Sequence, residues 1–122
     1  MAPPFTILVV DDEPDLRDFI ARILTDHGLH ALTAPSSYHA LQILAAQPVD
    51  VLLTDIVMPG KNGVELAAEA KRLRPEIKVL FVTAYAPRST EQAAMRLGPA
   101  LLKPVRAAEI VREIKALLPP FG

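Results

Sequence analysis

The chain has 122 residues, of which 51% are hydrophobic, and a formal net charge of −1. This length suits one folded domain, and the composition excludes a disordered tail and any general attraction to nucleic acid or an anionic membrane. Because there is no cysteine, disulfides, a thiol nucleophile and thiolate metal ligands are excluded, and we expect a cytoplasmic protein. No apolar run approaches the ~18 residues of a membrane span, and the first residues lack the features of a secretion signal.

Apolar runs alternate with helical spacings along the first half of the chain. Short continuous apolar runs predict strands that are covered on both faces, whereas apolar residues three and four apart predict helices. Proline favours the first turn of a helix, serine its N-cap and glycine its end. In chain order the pattern predicts a strand at residues 4–10, a helix from Pro14 to Gly28, a weaker strand at His30–Ala34, a short helix capped by Ser36 or Ser37, and a strand at residues 49–54.

The same alternation continues through the second half. Proline and glycine predict a loop at residues 58–63, and Pro119 and Pro120 stop the last helix. The predicted elements after the loop are a helix at residues 64–73, a strand at Lys78–Thr83, a polar helix at residues 89–97, a short strand at Ala100–Leu102 and a helix with an apolar stripe at residues 110–118. Strands that alternate with helices indicate an α/β fold in which helices cover both faces of a parallel sheet, with right-handed crossovers.

Polar side chains follow directly after most of the predicted strands. In an open parallel sheet, ligands bind beyond the carboxyl ends of the strands, so these residues are expected to share one pocket. They are Asp11, Asp12, Asp55, Thr83 and Lys103. Five unrelated strand-end residues would rarely agree with one topology in this way, so we interpret them as a site.

Three carboxylates in one pocket predict a bound cation. At ~4 Å each pair repels by about 4 kcal/mol with an effective dielectric constant of ~20, and Lys103 offsets only part of this. Mg²⁺ takes oxygen ligands and is usually held by one or two carboxylates with waters and phosphate oxygens. Beside such a metal a carboxylate can attack a phosphoryl group, whose charge Lys103 and the Thr83 hydroxyl would stabilise. As an exposed strand-end lysine, Lys103 is expected to add little to stability.

Four segments resemble the motifs of the receiver domain of two-component response regulators. They are ILVVDDEPDLR, LLTDIVMPGKNG, VLFVTAY and LLKPV, which occur in the family's order. The resemblance covers residues 5–118 and implies one receiver domain over residues 1–122 with a core of about 5–118. It also implies the flavodoxin-like fold, a doubly wound (βα)5 arrangement with a five-stranded parallel sheet in the order 2-1-3-4-5.

The resemblance implies a role for each residue of the pocket. Asp55 would be the phosphoacceptor, and Mg²⁺ would be held by Asp11, Asp12, Asp55 and the backbone carbonyl of Val57. Thr83 and Lys103 would contact the phosphoryl group. The donor would be a phosphohistidine on a histidine kinase or a histidine phosphotransfer protein. Such a signalling domain is no enzyme beyond its own phosphorylation and dephosphorylation. The resemblance names no downstream effector, and nothing resembles a DNA-binding helix-turn-helix.

One position departs from the family pattern. Many receivers carry an aromatic residue three positions before the lysine, and it turns inward on phosphorylation; here that position is Ala100. Tyr85, two residues after Thr83, is the nearest aromatic that could replace it. We therefore hypothesise that Thr83 and Tyr85 form the switch, against the simpler interpretation of Tyr85 as a loop aromatic.

Other acidic and basic residues have simpler interpretations. Glu13 and Asp15 fit favourable charges in the first turn of a helix, an interpretation that we prefer for Asp15. The histidines share no metal-ligand spacing and are interpreted as structural or surface residues; they are His27, His30 and His39.

Two other classes of function remain open beside the phosphoacceptor switch. A receiver-like interaction module would never take phosphate, although the complete acidic pocket argues against it. A Mg²⁺-dependent phosphatase would use Asp55 as its nucleophile, but such enzymes usually need a further acid or base and a cap domain.

Overall fold

A computed structural model of the protein describes residues 4–84 and 88–119. The described elements alternate between strand and helix throughout. In chain order they are β1 (Thr6–Val10), α1 (Pro14–Asp26), β2 (His30–Ala34), α2 (Ser37–Ala46), β3 (Val51–Thr54), α3 (Gly63–Leu73), β4 (Lys78–Thr83), α4 (Arg88–Met95), β5 (Ala100–Leu102) and α5 (Ala107–Leu117). The strands form one sheet in the order β2-β1-β3-β4-β5, and all their pairings are parallel. The predicted fold class and strand order are confirmed.

Alternate residues of the central strands point to opposite faces of the sheet, and each face has its own core. On one face Leu8 and Val10 of β1 lie in a cluster with buried residues of α2, α3 and α4. On the other face Ile7 and Val9 lie with buried residues of α1 and α5. Since both faces are covered, the central strands are apolar without alternation.

Two strands are shorter than the sequence predicted. β1 pairs with β3 only from Ile7 and Val51 onward, although Val49 is also buried and packs in the core on the α2–α4 face. Apolar character reports burial, whereas a strand is defined by its hydrogen-bonded ladder, so the apolar runs overestimate the length of these two strands at their amino ends.

The helix that the sequence predicts at residues 89–97 is present as α4, which runs from Arg88 to Met95.

The start of α2 resolves the alternative between its two serines. The Ser36 side chain accepts a hydrogen bond from the backbone N–H of His39 and is the N-cap. Ser37 is buried, and its hydroxyl donates to the backbone carbonyl of Lys61 at 2.8 Å. Ser37 therefore ties α2 to the loop between β3 and α3.

The helices in the described part of the chain are short. α1 has 13 residues, fewer than the ~20 apolar residues that cross a bilayer, and no described helix is long and apolar enough to do so.

Candidate functional site

The carboxyl ends of four strands converge on one pocket. Asp11 directly follows β1, Asp55 directly follows β3, Thr83 is the last residue of β4, and Lys103 directly follows β5. The pocket lies at the end of the sheet that the topology predicted for a ligand. These residues were predicted from the sequence, and the structure brings the charged ones together.

Backbone hydrogen bonds fix the positions of two residues that follow the strands. The N–H of Asp55 donates to the carbonyl of Val10 at 3.2 Å, and the N–H of Lys103 donates to the carbonyl of Thr83 at 2.9 Å. These bonds continue the parallel ladders by one residue past the strands. The backbones of Asp55 and Lys103 are therefore held by the sheet.

Lys103 is the cation of the pocket and contacts three carboxylates. Its Nζ lies 2.7 Å from Oδ2 of Asp55, 3.1 Å from Oε1 of Glu13 and 3.4 Å from Oδ2 of Asp11. Burial opposes the charge of the ammonium, but its hydrogen bonds to Asp55 and Glu13, together with the attraction of the Asp55 and Asp11 carboxylates, outweigh burial and raise the pKa of Lys103 above its usual value. Lys103 therefore stays charged throughout the physiological range of pH.

The expectation that Lys103 is exposed is wrong. Its side chain is only 13% exposed, and those of Asp11 and Asp55 are 3% and 8% exposed. The sequence alone places this lysine at a strand end, whereas in the fold its ammonium lies within 3.4 Å of carboxylates that follow β1 and β3. Lys103, Asp11 and Asp55 thus form a charge cluster of largely buried side chains.

The acidic residues form a group that can hold a cation. One carboxylate oxygen from each of Asp11, Asp12 and Asp55 lies within 4.8 Å of the others. Asp11 and Asp55 are buried, and Asp12 is exposed, so the group opens to solvent on the side of Asp12. Such all-oxygen, mainly anionic donors fit Mg²⁺.

Burial raises the pKa of Asp11 above its ordinary value, although the N–H of Glu13 and the Lys103 ammonium act in the opposite direction. The carboxylate of Asp55 also raises it. A carboxylate that is disfavoured in its charged form by burial and by a like charge gains from a nearby cation. The electrostatics of Asp11 therefore agree with the donor chemistry of the acidic group.

Several contacts that the sequence did not predict orient the pocket. The N–H of Glu13 donates to Oδ1 of Asp11 at 2.9 Å, and a guanidinium nitrogen of Arg17 donates to the Asp11 carbonyl at 3.0 Å. The N–H of Val57 donates to Oδ1 of Asp55 at 3.2 Å. For Glu13 the sequence left open whether it is more than a helix-start charge, and it carries no signal for the contact of Glu13 with a lysine 90 residues away.

Gly63 was predicted only as a loop residue, yet it stands directly against the pocket. A Cβ added at Gly63 would lie 1.9 Å from the backbone carbonyl oxygen of Asp55, and the N–H of Gly63 donates to the carbonyl of Ile56 at 2.8 Å. Only glycine allows the start of α3 to approach the end of β3 this closely.

Thr83 is buried at the end of β4, as predicted. Ala100, the position without the usual aromatic, begins β5 and pairs with Phe81. Tyr85 lies outside the described residues, so its proposed role in the switch stays a prediction.

Comparisons with known proteins agree with this geometry. The model of the response regulator receiver domain family matches residues 7–115. The response regulator receiver protein CpdR of Brucella abortus is 34% identical over 92% of this chain and 95% of its own. A CheY-like receiver domain from Methanospirillum hungatei superposes with a TM-score of 0.88 at 29% identity, over 93% of this chain and 92% of that chain. The response regulator TrrA of Thermotoga maritima, solved in complex with Mg(2+)-BeF, gives a TM-score of 0.84 at 30% identity over 93% of this chain and 99% of that chain.

Proposed function

This chain belongs to the response regulator receiver domain family of two-component signalling and has the acidic pocket typical of a phosphoacceptor site, and from that premise we propose that Asp55 is its phosphoacceptor. One observation carries the proposal. The Lys103 ammonium lies 2.7 Å from Oδ2 of Asp55, and an oxygen of the Asp55 carboxylate lies within 4.8 Å of oxygens of Asp11 and Asp12. A nucleophile in this position has a cation beside it and belongs to a donor set for a second cation.

The reaction is a transfer of a phosphoryl group between two nucleophiles. A carboxylate oxygen of Asp55 attacks phosphorus and forms an O–P bond, while the P–N bond to the donor imidazole breaks and leaves its electron pair on the nitrogen. Lys103 pairs with the phosphoryl oxygens as charge shifts onto them, and the Thr83 hydroxyl donates a further hydrogen bond. Later attack by water releases inorganic phosphate and restores the carboxylate.

Receiver domains generally bind Mg²⁺ at the acidic cluster, and we propose that in this chain Asp11, Asp12, Asp55 and the backbone carbonyl of Val57 supply its ligands. When bound, the ion adds positive charge beside the phosphoryl oxygens and offsets the repulsion among the carboxylates. Asp11 and Asp55 are held by the sheet, while the exposed Asp12 is free to adjust to the ion.

The proposed partner is the phosphohistidine of a histidine kinase or of a histidine phosphotransfer protein, because histidine kinases are the general partners of the family. Beyond its own phosphorylation and dephosphorylation we assign no catalysis to the chain. We also propose a cytoplasmic location, where ATP charges such kinases, and one receiver domain over residues 1–122 with a core of about 5–118.

The direct test is phosphorylation by acetyl phosphate and Mg²⁺, followed by intact-protein mass spectrometry. We expect one added phosphoryl group in the unmodified protein and none in Asp55→Asn. Asp50→Asn is the matched control, because Asp50 precedes the same strand at its opposite end and its side chain accepts a hydrogen bond from the N–H of Thr6. Asp50→Asn should be phosphorylated like the parent protein.

The time course separates the three classes of function. A phosphoryl group that is gained and then slowly lost supports the switch. No gain in the parent protein would indicate an interaction module, and sustained release of phosphate over many turnovers would indicate a phosphatase. If Asp55→Asn is labelled at the rate of the parent, the phosphoacceptor assignment is wrong.

A further inference from the structure

Lys103 has a third carboxylate partner that lies outside the acidic group. We propose that Glu13 is a positioning residue that holds Lys103 in the unphosphorylated protein and competes with the phosphoryl group for it. This inference rests on the proposed phosphorylation of Asp55. In it, the Glu13–Lys103 ion pair controls how readily the pocket accepts the phosphoryl group and how long it keeps it.

The contact between Lys103 and Glu13 is a direct ion pair in which one side chain is largely buried and the other is mostly exposed. Nζ of Lys103 lies 3.1 Å from Oε1 of Glu13, only slightly farther than its 2.7 Å contact with Asp55. The Glu13 side chain is 64% exposed, whereas that of Lys103 is 13% exposed. An ammonium has three N–H donors, and here three carboxylates surround it.

The local structure of Glu13 leaves its side chain free for this role. Glu13 occupies the N-cap of α1, a position that serine, threonine, aspartate and asparagine usually fill, but its side chain makes no capping hydrogen bond. Its backbone N–H is bound by Oδ1 of Asp11 at 2.9 Å. The main chain of Glu13 is therefore anchored to the pocket while its carboxylate reaches Lys103 from the solvent side.

Phosphorylation changes what Lys103 must neutralise. A phosphoryl group on Asp55 brings several negatively charged oxygens, and a lysine bound to such oxygens has fewer N–H donors left for other partners. The Glu13 carboxylate then loses its hydrogen bond and repels the new charge. Glu13 consequently favours the unphosphorylated state, and its effect acts through Lys103.

The size of the effect follows from the exposure of the pair. A partly exposed ion pair of this kind alters an equilibrium constant by about two- to fivefold. We therefore expect Glu13→Gln to bind beryllofluoride, a phosphoryl mimic, about two- to fivefold more tightly than the parent protein, when both are saturated with Mg²⁺. The aspartyl phosphate of Glu13→Gln should also last longer.

Asp15→Asn is the matched control. Asp15 is an exposed acidic residue in the first turn of the same helix, so its substitution removes the same charge without touching Lys103. If Glu13 acts through Lys103, Asp15→Asn should change beryllofluoride affinity less than Glu13→Gln does, and Glu13→Gln should have no effect when added to Lys103→Ala.

The experiment combines a titration of beryllofluoride, followed by ¹⁹F NMR, with the side-chain NMR signals of Lys103 in the metal-free protein. A shift of the Lys103 signals in Glu13→Gln but not in Asp15→Asn, together with tighter beryllofluoride binding, supports the proposal. Unchanged or weaker binding by Glu13→Gln overturns it, as does an equal gain in Asp15→Asn. Failure of the parent protein to bind beryllofluoride or to be phosphorylated instead overturns the proposed function on which it rests.

Discussion

At the scale of single residues, the positive charge of one lysine in the pocket is paired with the negative charges of several carboxylates. Lys103 is largely buried and reaches Asp11, Glu13 and Asp55 within 3.4 Å. Buried charges that lose their partner cost more than exposed ones. The lysine therefore has a structural role in the metal-free protein besides its proposed role toward the phosphoryl group.

Lys103→Ala should destabilise the metal-free protein. It leaves the carboxylates of Asp11 and Asp55 without their cation, and we expect a loss of about 1–3 kcal/mol in the free energy of unfolding. Urea denaturation in the presence of EDTA measures this loss. Added Mg²⁺ should recover part of it, because the ion supplies the missing positive charge.

Asp11→Asn is the control for this prediction, and it should change the free energy of unfolding in the opposite direction. It removes one of the repelling carboxylates and should stabilise the metal-free protein at neutral pH. Because the fold raises the pKa of Asp11, ionisation of Asp11 costs stability, so this gain should shrink as the pH falls and Asp11 takes up a proton. Equal stability of Lys103→Ala and the parent protein in EDTA would contradict the charge-balance account.

At the scale of elements, the join between β3 and α3 places the proposed nucleophile. Gly60 in this loop has φ +77° with open space around it, whereas Gly63 begins α3 in contact with the Asp55 carbonyl. The N-cap of α3 is Asn62, which exchanges hydrogen bonds with Glu65 in a capping box. The helix therefore starts at a defined point, against the backbone of Asp55.

Gly63→Ala should damage both folding and the site. Its Cβ would meet backbone atoms of Asp55, the nearest at 1.9 Å, so α3 must move away or Asp55 must shift. We expect a loss of about 2–3 kcal/mol in unfolding free energy, within the range for overpacking, and slower phosphorylation of the fraction that folds. Denaturation curves and labelling by acetyl phosphate measure the two effects.

Gly60→Ala separates steric contact from backbone strain. At Gly60 an added Cβ meets nothing within 4 Å, and only the positive φ is unfavourable, which costs an alanine about 1–2 kcal/mol. Phosphorylation of Gly60→Ala should remain close to that of the parent protein. If Gly63→Ala is phosphorylated as fast as Gly60→Ala, the close approach to Asp55 is not important for the site.

At the scale of the whole molecule, the sheet links the stability of the fold to the occupancy of the pocket. The acidic residues belong to segments after β1 and β3, which lie next to each other in the sheet and are covered by separate cores on its two faces. A cation that binds only when these segments are together must stabilise the folded state.

Mg²⁺ should raise the free energy of unfolding, and the rise should depend on Asp12. Binding only to the folded state adds about 2.7 kcal/mol at an ion concentration ~100 times the dissociation constant. Asp12→Ala removes a proposed ligand that is exposed and adds little to the metal-free fold, so it should shift this gain to higher Mg²⁺ concentration. Thermal melts across a Mg²⁺ series measure both proteins.

Asp18→Ala is the control, since Asp18 is exposed on α1 and is not part of the acidic group. The parent protein and Asp18→Ala should respond alike to Mg²⁺. A melt series in which Asp12→Ala also responds like the parent would remove Asp12 from the ligand set.

The sequence by itself determined the alternation of elements, the α/β class and the residues that follow each strand. These features are local: an apolar run, a helical spacing or a strand-end carboxylate such as Asp55 is visible within a few residues. The family resemblance then supplied the strand order, which the structure confirms.

Only the tertiary structure decided how these residues meet. Three features depend on how helices and strands pack against each other. They are the burial of Lys103, its ion pair with Glu13 and the approach of Gly63 to Asp55. Glu13 looks like an ordinary helix-start charge because nothing near it in sequence reveals a lysine after β5. Local patterns report the propensity and burial of a segment, whereas contacts over 90 residues arise when β1 and β5 bring their carboxyl ends to the same edge of one sheet.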